Sequence, residues 1–281
     1  MQKQVIDKSI SYVHVVIEIN NMTEITKEIK EAFKKSLSKN IFYRTRVVYI
    51  ELSNLCNYTL IHPQCPTSKL KKNIMPLKVI ESIAKNLGKE NYDKLLCPYS
   101  FSEPLIDPRL YTVLDIFKKY VPKAHYGFTT NGFFLYETIL DDIVKKGVDH
   151  IIVTAYFPKE YERLKELKDK TKGKYPSLFF KIKKGFPLEK RMLDLYSIYT
   201  RKEPNKLTKE CRAPYLNLYV NSYADISLCC NEWKSKITFG SLKEKSFREI
   251  LLSDKMIDRY LNLRLNNRQK YFLCSRCYRY K

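Results

Sequence analysis

The cysteines stand out by their placement. Eight are present: Cys56, Cys65 and Cys97 in the first part of the chain, then Cys211, Cys229, Cys230, Cys274 and Cys277. The late group has 17 residues between Cys211 and Cys229, 44 between Cys229 and Cys274, and closes on Cys274-Ser275-Arg276-Cys277. Four thiolates ending in CxxC make a closed site for zinc or for an iron–sulfur cluster. Thiolate softness suits both, so spacing alone does not choose between them. Neighbouring side chains on a strand point to opposite faces, so only one of Cys229 and Cys230 is expected to ligate, with Cys229 preferred. No export signal precedes these residues, and metal ligation is expected rather than disulfides.

A second set lies around the segment SNLCNYTLIHPQCPTS, where Cys56 and Cys65 flank His62. This segment follows the first apolar strand, and the loop after such a strand is where α/β barrels carry their sites. The next strand ends in Phe101-Ser102-Glu103-Pro104, placing a carboxylate at the same rim. The third ends in Thr130-Asn131-Gly132, and the fourth carries Thr154. A strand-end glutamate or a TNG turn is by itself most often structural. Together with two thiols and an imidazole they surround one site with a metal at its lip.

The elements that must position these residues read as alternating strands and helices. Apolar runs at 47–52, 94–101, 124–130, 149–156 and 178–184 are separated by helical patterns at 75–88, 109–120, 135–146 and 158–170. The helix at 75–88 is expected to close on Gly88. Strands and helices at this spacing imply parallel strands with crossover connections, an α/β sheet curled toward a partial (β/α) barrel. Residues 1–45 read as a β–α extension, with a strand over 9–20 and Ile25, Ile29, Phe33 and Leu37 on one helical face. Residues 46–204 form the barrel, and 205–281 a cysteine-bearing module. In the module CRAPYLNLYVNSYADISLCCNEW reads as a hairpin, and Ser246 with Glu249 as a capping box.

Composition removes several function classes. Hydrophobic residues make up 44% and aromatics 13%, enough to bury a core. No apolar run is long enough to span a bilayer, and the N-terminus has no small-residue cleavage site, so a cytoplasmic protein is expected. Seven glycines in 281 residues leave no glycine-rich phosphate loop. The net charge of +22 is spread along the chain. A solvated basic surface accounts for it; a nucleic-acid partner is disfavoured because interleaved basic and aromatic stripes are missing.

Taken together, these residues resemble the radical S-adenosylmethionine (SAM) superfamily in its SPASM/twitch branch, over roughly residues 46–280. The family's cluster loop reads CNxxCxxCP; Cys56-Asn57 and Cys65-Pro66 match its two ends, with two extra residues between them and Leu60 where the middle cysteine falls. Ser102-Glu103-Pro104 resembles the motif that holds the amino group of SAM, Thr130-Asn131-Gly132 the third-strand motif, and Thr154 the ribose contact. The late cysteines are similar to a twitch module with one auxiliary [4Fe–4S] cluster, and the chain is similar to the twitch-domain aminocyclitol dehydrogenases. The resemblance implies a SAM-binding [4Fe–4S] cluster held by Cys56, Cys65 and a third ligand, for which His62 and Cys97 are the candidates; an altered or lost cluster is the alternative. It further implies reductive cleavage of SAM to a 5′-deoxyadenosyl radical and hydrogen abstraction from a small-molecule or sugar-like substrate, acidic if the positive field selects it. Electrons would come from a donor such as flavodoxin or ferredoxin. The alternative functions are a peptide-modifying maturase and a non-catalytic SAM-domain binding protein.

Overall fold

The computed structural model describes residues 25–60, 70–185 and 210–277, together with Thr67, Tyr199, Lys202 and Pro204. The strand expected over 9–20 lies outside these residues. The first described helix, α1 (Lys27–Ser38), has Thr26 as its N-cap and buries Ile29, Phe33 and Leu37 on one face. There follow β1 (Val47–Ile50), α2 (Leu77–Lys89), β2 (Leu95–Cys97), α3 (Leu110–Tyr120), β3 (His125–Thr130), α4 (Glu137–Lys145), β4 (Val148–Ala155), α5 (Pro158–Thr171) and β5 (Phe179–Lys184). Beyond Glu210 come α6 (Ala213–Leu216), β6 (Asn217–Val220), β7 (Asp225–Ser227), β8 (Thr238–Ser241), α7 (Phe247–Leu251), α8 (Asp254–Arg264) and α9 (Phe272–Ser275).

The eight strands among the described residues form one sheet in the order β5-β4-β3-β2-β1-β6-β7-β8. Strands β1 to β5 pair in parallel through helical crossovers, as the alternating pattern predicts. The 211–233 hairpin appears as β6–β7, but β6 also adds in parallel to β1, with Tyr49 opposite Tyr219. The cysteine-bearing module therefore continues the barrel sheet. It is also tied to the N-terminal helix, where Lys30 and Lys34 of α1 meet Asp258 and Asp254 of α8 at 2.7 and 3.4 Å.

The helices bury their apolar stripes against one face of the sheet. Ile80, Ile83 and Leu87 of α2 and Val113, Leu114 and Phe117 of α3 join Val48, Ile50 and Leu96 in one continuous core. Side chains alternate along a strand, so Tyr126, stacked on Phe117, faces the helices while His125, Gly127 and Thr129 face the other side. One helix end differs from expectation. α2 runs through Gly88 to Lys89, and Asn91 takes the left-handed turn at φ 53°. Gly88 is required for close packing instead, because a Cβ there would lie 2.2 Å from the carbonyl oxygen of Tyr120.

Candidate functional site

The segment after β1 is braced on three sides. Asn54 donates its amide to the Lys71 carbonyl at 2.6 Å and accepts from the Asn73 N–H at 2.8 Å. The Leu55 carbonyl accepts from the Glu103 N–H at 2.9 Å. Asn57 accepts from the side-chain amide of Asn131 at 2.8 Å, which links this loop to the end of β3. Cys56 is partly exposed within this frame and accepts from the Tyr58 N–H at 3.4 Å. Tyr58 is buried in a nest of Phe133, Tyr156 and Phe157 and bonded to Glu160. Leu60, where the family's middle cysteine falls, is 92% exposed. His62 and Cys65 lie outside the described residues. Cys97 is buried within the sheet, in register with Tyr49, and burial pushes its thiol well above the ordinary range.

Glu103 occupies the centre of the rim. It caps the short 3₁₀ turn Pro104–Ile106, and its carboxylate is already engaged. One oxygen accepts from the Leu105 N–H at 3.1 Å and the Thr130 hydroxyl at 2.6 Å, and the other from the Asn131 N–H at 2.7 Å. Burial pushes this carboxyl up to about 7, against the pull of the three donors. Glu103 thus clamps the ends of β2 and β3 together. Thr130 and Asn131 are buried beside it, Thr154 is buried near the end of β4, and Ser102 is half-buried.

A second buried carboxylate, Glu51, was not anticipated. It follows β1 directly and accepts from the Phe101 N–H at 3.1 Å and the Ser222 N–H at 3.2 Å, joining the β2 rim to the β6–β7 turn. Burial pushes it up to about 7. The only sequence signal was a charged residue in an otherwise apolar strand run.

The late cysteines converge. Cys211, Cys229, Cys230, Cys274 and Cys277 line a single cavity with Asn231 and Arg268. Burial pushes the Cys211 and Cys229 thiols up and that of Cys274 up to about 12, and the thiols raise one another's values across the cavity. Such a set is stable as thiolate only when metal charge compensates it. Arg268, 1% exposed, supplies a buried positive charge that opposes the rise at Cys211 and Cys274. The Asn231 amide donates to Cys277 Sγ at 3.3 Å. Among the described residues no three of these sulfurs lie within 4.8 Å of one another. Four thiolates suit zinc and a [4Fe–4S] cluster alike, so the donor set admits either. The strand-alternation argument for choosing Cys229 over Cys230 does not apply, because both follow β7 in a turn and both reach the cavity.

Residues 211–278 match the SPASM family, an iron–sulfur cluster-binding domain. The S-adenosyl-L-methionine-dependent 2-deoxy-scyllo-inosamine dehydrogenase of Niallia circulans is 23% identical over 239 residues, 82% of this chain and 92% of the relative. The fold is similar to that of BtrN in complex with AdoMet and 2-DOIA, at a TM-score of 0.69 and 20% identity over 83% of this chain and 93% of that one. It is similar as well to anSMEcpe with bound AdoMet, at a TM-score of 0.54 and 14% identity over 82% and 84%. Among the described residues no helix is long and apolar enough to cross a membrane.

Proposed function

On the premise that the chain belongs to the SPASM/twitch branch of the radical SAM superfamily, we propose that it oxidises a polyhydroxylated, sugar-like small molecule by two electrons. The observation that carries this reading is the cavity of five converging thiols, set in a module whose first strand pairs with β1. When bound, a SAM cluster with SAM would supply the abstraction of a hydrogen atom, and an auxiliary cluster at the late cysteines would supply a one-electron acceptor.

The chain's own residues hold and orient these groups. Cys56 and Cys65 are assigned to the SAM cluster, with His62 as third ligand. Aligned on its C-terminal end, the family motif places its middle cysteine at His62, in His62-Pro63-Gln64-Cys65-Pro66. Imidazole replaces thiolate in other clusters. Cys211, Cys229, Cys274 and Cys277 are assigned to the auxiliary cluster, beside Arg268. Glu103, with its three donors, fixes the rim made by Ser102, Pro104, Thr130 and Asn131, and these residues with Thr154 form the SAM pocket. Glu103 clamps the two strand ends and is also assigned to the amino group of SAM, since the oxygen that accepts from Asn131 takes only that one bond and keeps a lone pair for a further donor.

The name of the Niallia circulans relative and the ligand of BtrN support a cyclitol-like substrate. The net charge of +22 suits docking of an acidic electron carrier such as flavodoxin or ferredoxin. The test is an anaerobic assay with reduced flavodoxin, SAM and a panel of aminocyclitols and sugars deuterated at ring carbons. Deuterium in 5′-deoxyadenosine together with a carbonyl product is expected. Failure of protein carrying about eight irons to form 5′-deoxyadenosine with any of them would reject the reading, and deuterium transfer from a peptide instead would move it to the maturases.

A further inference from the structure

We propose that His125, Asp149 and His150 bind one divalent first-row transition ion of the zinc type, at the end of the sheet opposite the SAM rim. His125 opens β3, and Asp149 and His150 are the second and third residues of β4. Thr130 and Thr154 sit at the other ends of the same strands, about 15 Å away at strand rise. The site is therefore separate from the cluster chemistry and does not rest on the functional reading above.

The three side chains already converge. His125 Nδ1 lies 2.5 Å from one Asp149 oxygen and His150 Nδ1 lies 2.7 Å from the other. The two rings are 6.0 Å apart at 70°, and one donor atom from each residue lies within 4.8 Å of the others. Ions of this class take imidazole nitrogen at about 2.0–2.1 Å and carboxylate oxygen at about 2.0–2.2 Å, so small ring movements suffice to close on an ion. Two imidazoles and one carboxylate leave open positions that water fills. All three side chains are partly exposed, which gives an ion a route in.

The backbone is arranged to bring them together. Pairing of β3 with β4 passes from Tyr126 opposite Val148 to Gly127 opposite His150, so Asp149 is an extra residue in β4. Such a bulge re-aims side chains, which allows the consecutive Asp149 and His150 to serve one centre. The approach of β4 depends on Gly127, where a Cβ would lie 2.4 Å from the His150 carbonyl oxygen and 2.5 Å from its Cβ. On the far side the Phe179 ring rests against His150, with centroids 5.4 Å apart, and limits its rotation. The donors are nitrogen and oxygen, borderline to hard, and so distinct from the thiols that select iron–sulfur clusters.

The test uses full-length protein reconstituted anaerobically, washed with EDTA and dialysed to equilibrium against zinc, with zinc and iron counted in the same samples. Wild type should hold one zinc per chain more than the His125→Ala/His150→Ala double variant at equal iron content. Asp149→Asn should weaken that zinc by at least about tenfold. X-ray absorption at the zinc edge should show nitrogen and oxygen neighbours only. Equal zinc uptake by wild type and the double variant, or sulfur in the zinc shell, would overturn the assignment. If the double variant loses iron, His125→Gln and His150→Gln singly should each weaken zinc binding by at least about tenfold, and unchanged affinity in both would overturn it.

Discussion

The ring of Tyr49 on β1 lies parallel to that of Tyr219 on β6, with centroids 4.6 Å apart and planes within 1°. Tyr99 meets Tyr49 edge-on from the other side, at 5.6 Å. Burial, with Cys230 of the thiol cavity close by, pushes the Tyr219 hydroxyl well up. A row of aromatic rings thus runs across the sheet from the β2 strand end to the cluster module.

Truncating Tyr219 should therefore loosen the module from the barrel. Tyr219→Ala is expected to cost about 2 kcal/mol, less than at a fully buried aromatic because Tyr219 is only half-buried, and to lower iron content. Tyr219→Phe keeps the stack and should hold wild-type iron with a loss of about 1 kcal/mol. Anaerobic denaturant unfolding with iron counts distinguishes these outcomes.

Iron stoichiometry checks the ligand assignments in the cavity. Alanine at Cys211, Cys229, Cys274 or Cys277 should reduce iron from about eight per chain toward four and destabilise the module, while Cys230→Ala keeps about eight. If Cys230→Ala loses iron and Cys229→Ala does not, the two neighbours exchange roles and the cluster site stands.

For the SAM cluster the informative residue is His62. His62→Ala should lose the reduced-cluster EPR signal that responds to SAM, along with SAM cleavage. His62→Cys should retain both, since it restores a third thiolate. Full iron and cleavage in His62→Ala would remove the histidine from the ligand set.

Glu51 predicts a pH dependence of stability. Burial raises its carboxyl from 4.5 to about 7 in the folded protein. Between those values the folded state binds more protons than the unfolded chain, so this group's contribution to stability falls as pH rises toward 7 and is flat above it. The full effect is of the order of 3 kcal/mol. Glu51→Gln should flatten that slope between pH 5 and 7 in anaerobic urea titrations; an unchanged slope would show that Glu51 ionises normally.

The chain order of strands and helices, the parallel sheet and the closing CxxC were legible in the sequence, because hydrophobic periodicity and ligand spacing are local properties. Ser246 with Glu249 is the same kind of signal, and its reciprocal capping bonds are present. The sequence also placed Glu103 beside Thr130 and Asn131, since both are strand ends of one parallel sheet. Tertiary structure alone decided what lies far apart in the chain. The pairing of β6 with β1 turns two sequence modules into one sheet, and no local pattern encodes which edge a strand chooses. Cys230 reaches the cavity because β7 ends before it, a boundary that residue alternation cannot detect. The amide bridge from Asn131 to Asn57 depends on register between neighbouring strands. The cluster of His125, Asp149 and His150 depends on a one-residue bulge that strand patterning does not mark. In each case the deciding interaction joins residues whose mutual approach is set by packing, through burial and hydrogen-bond satisfaction across the whole sheet.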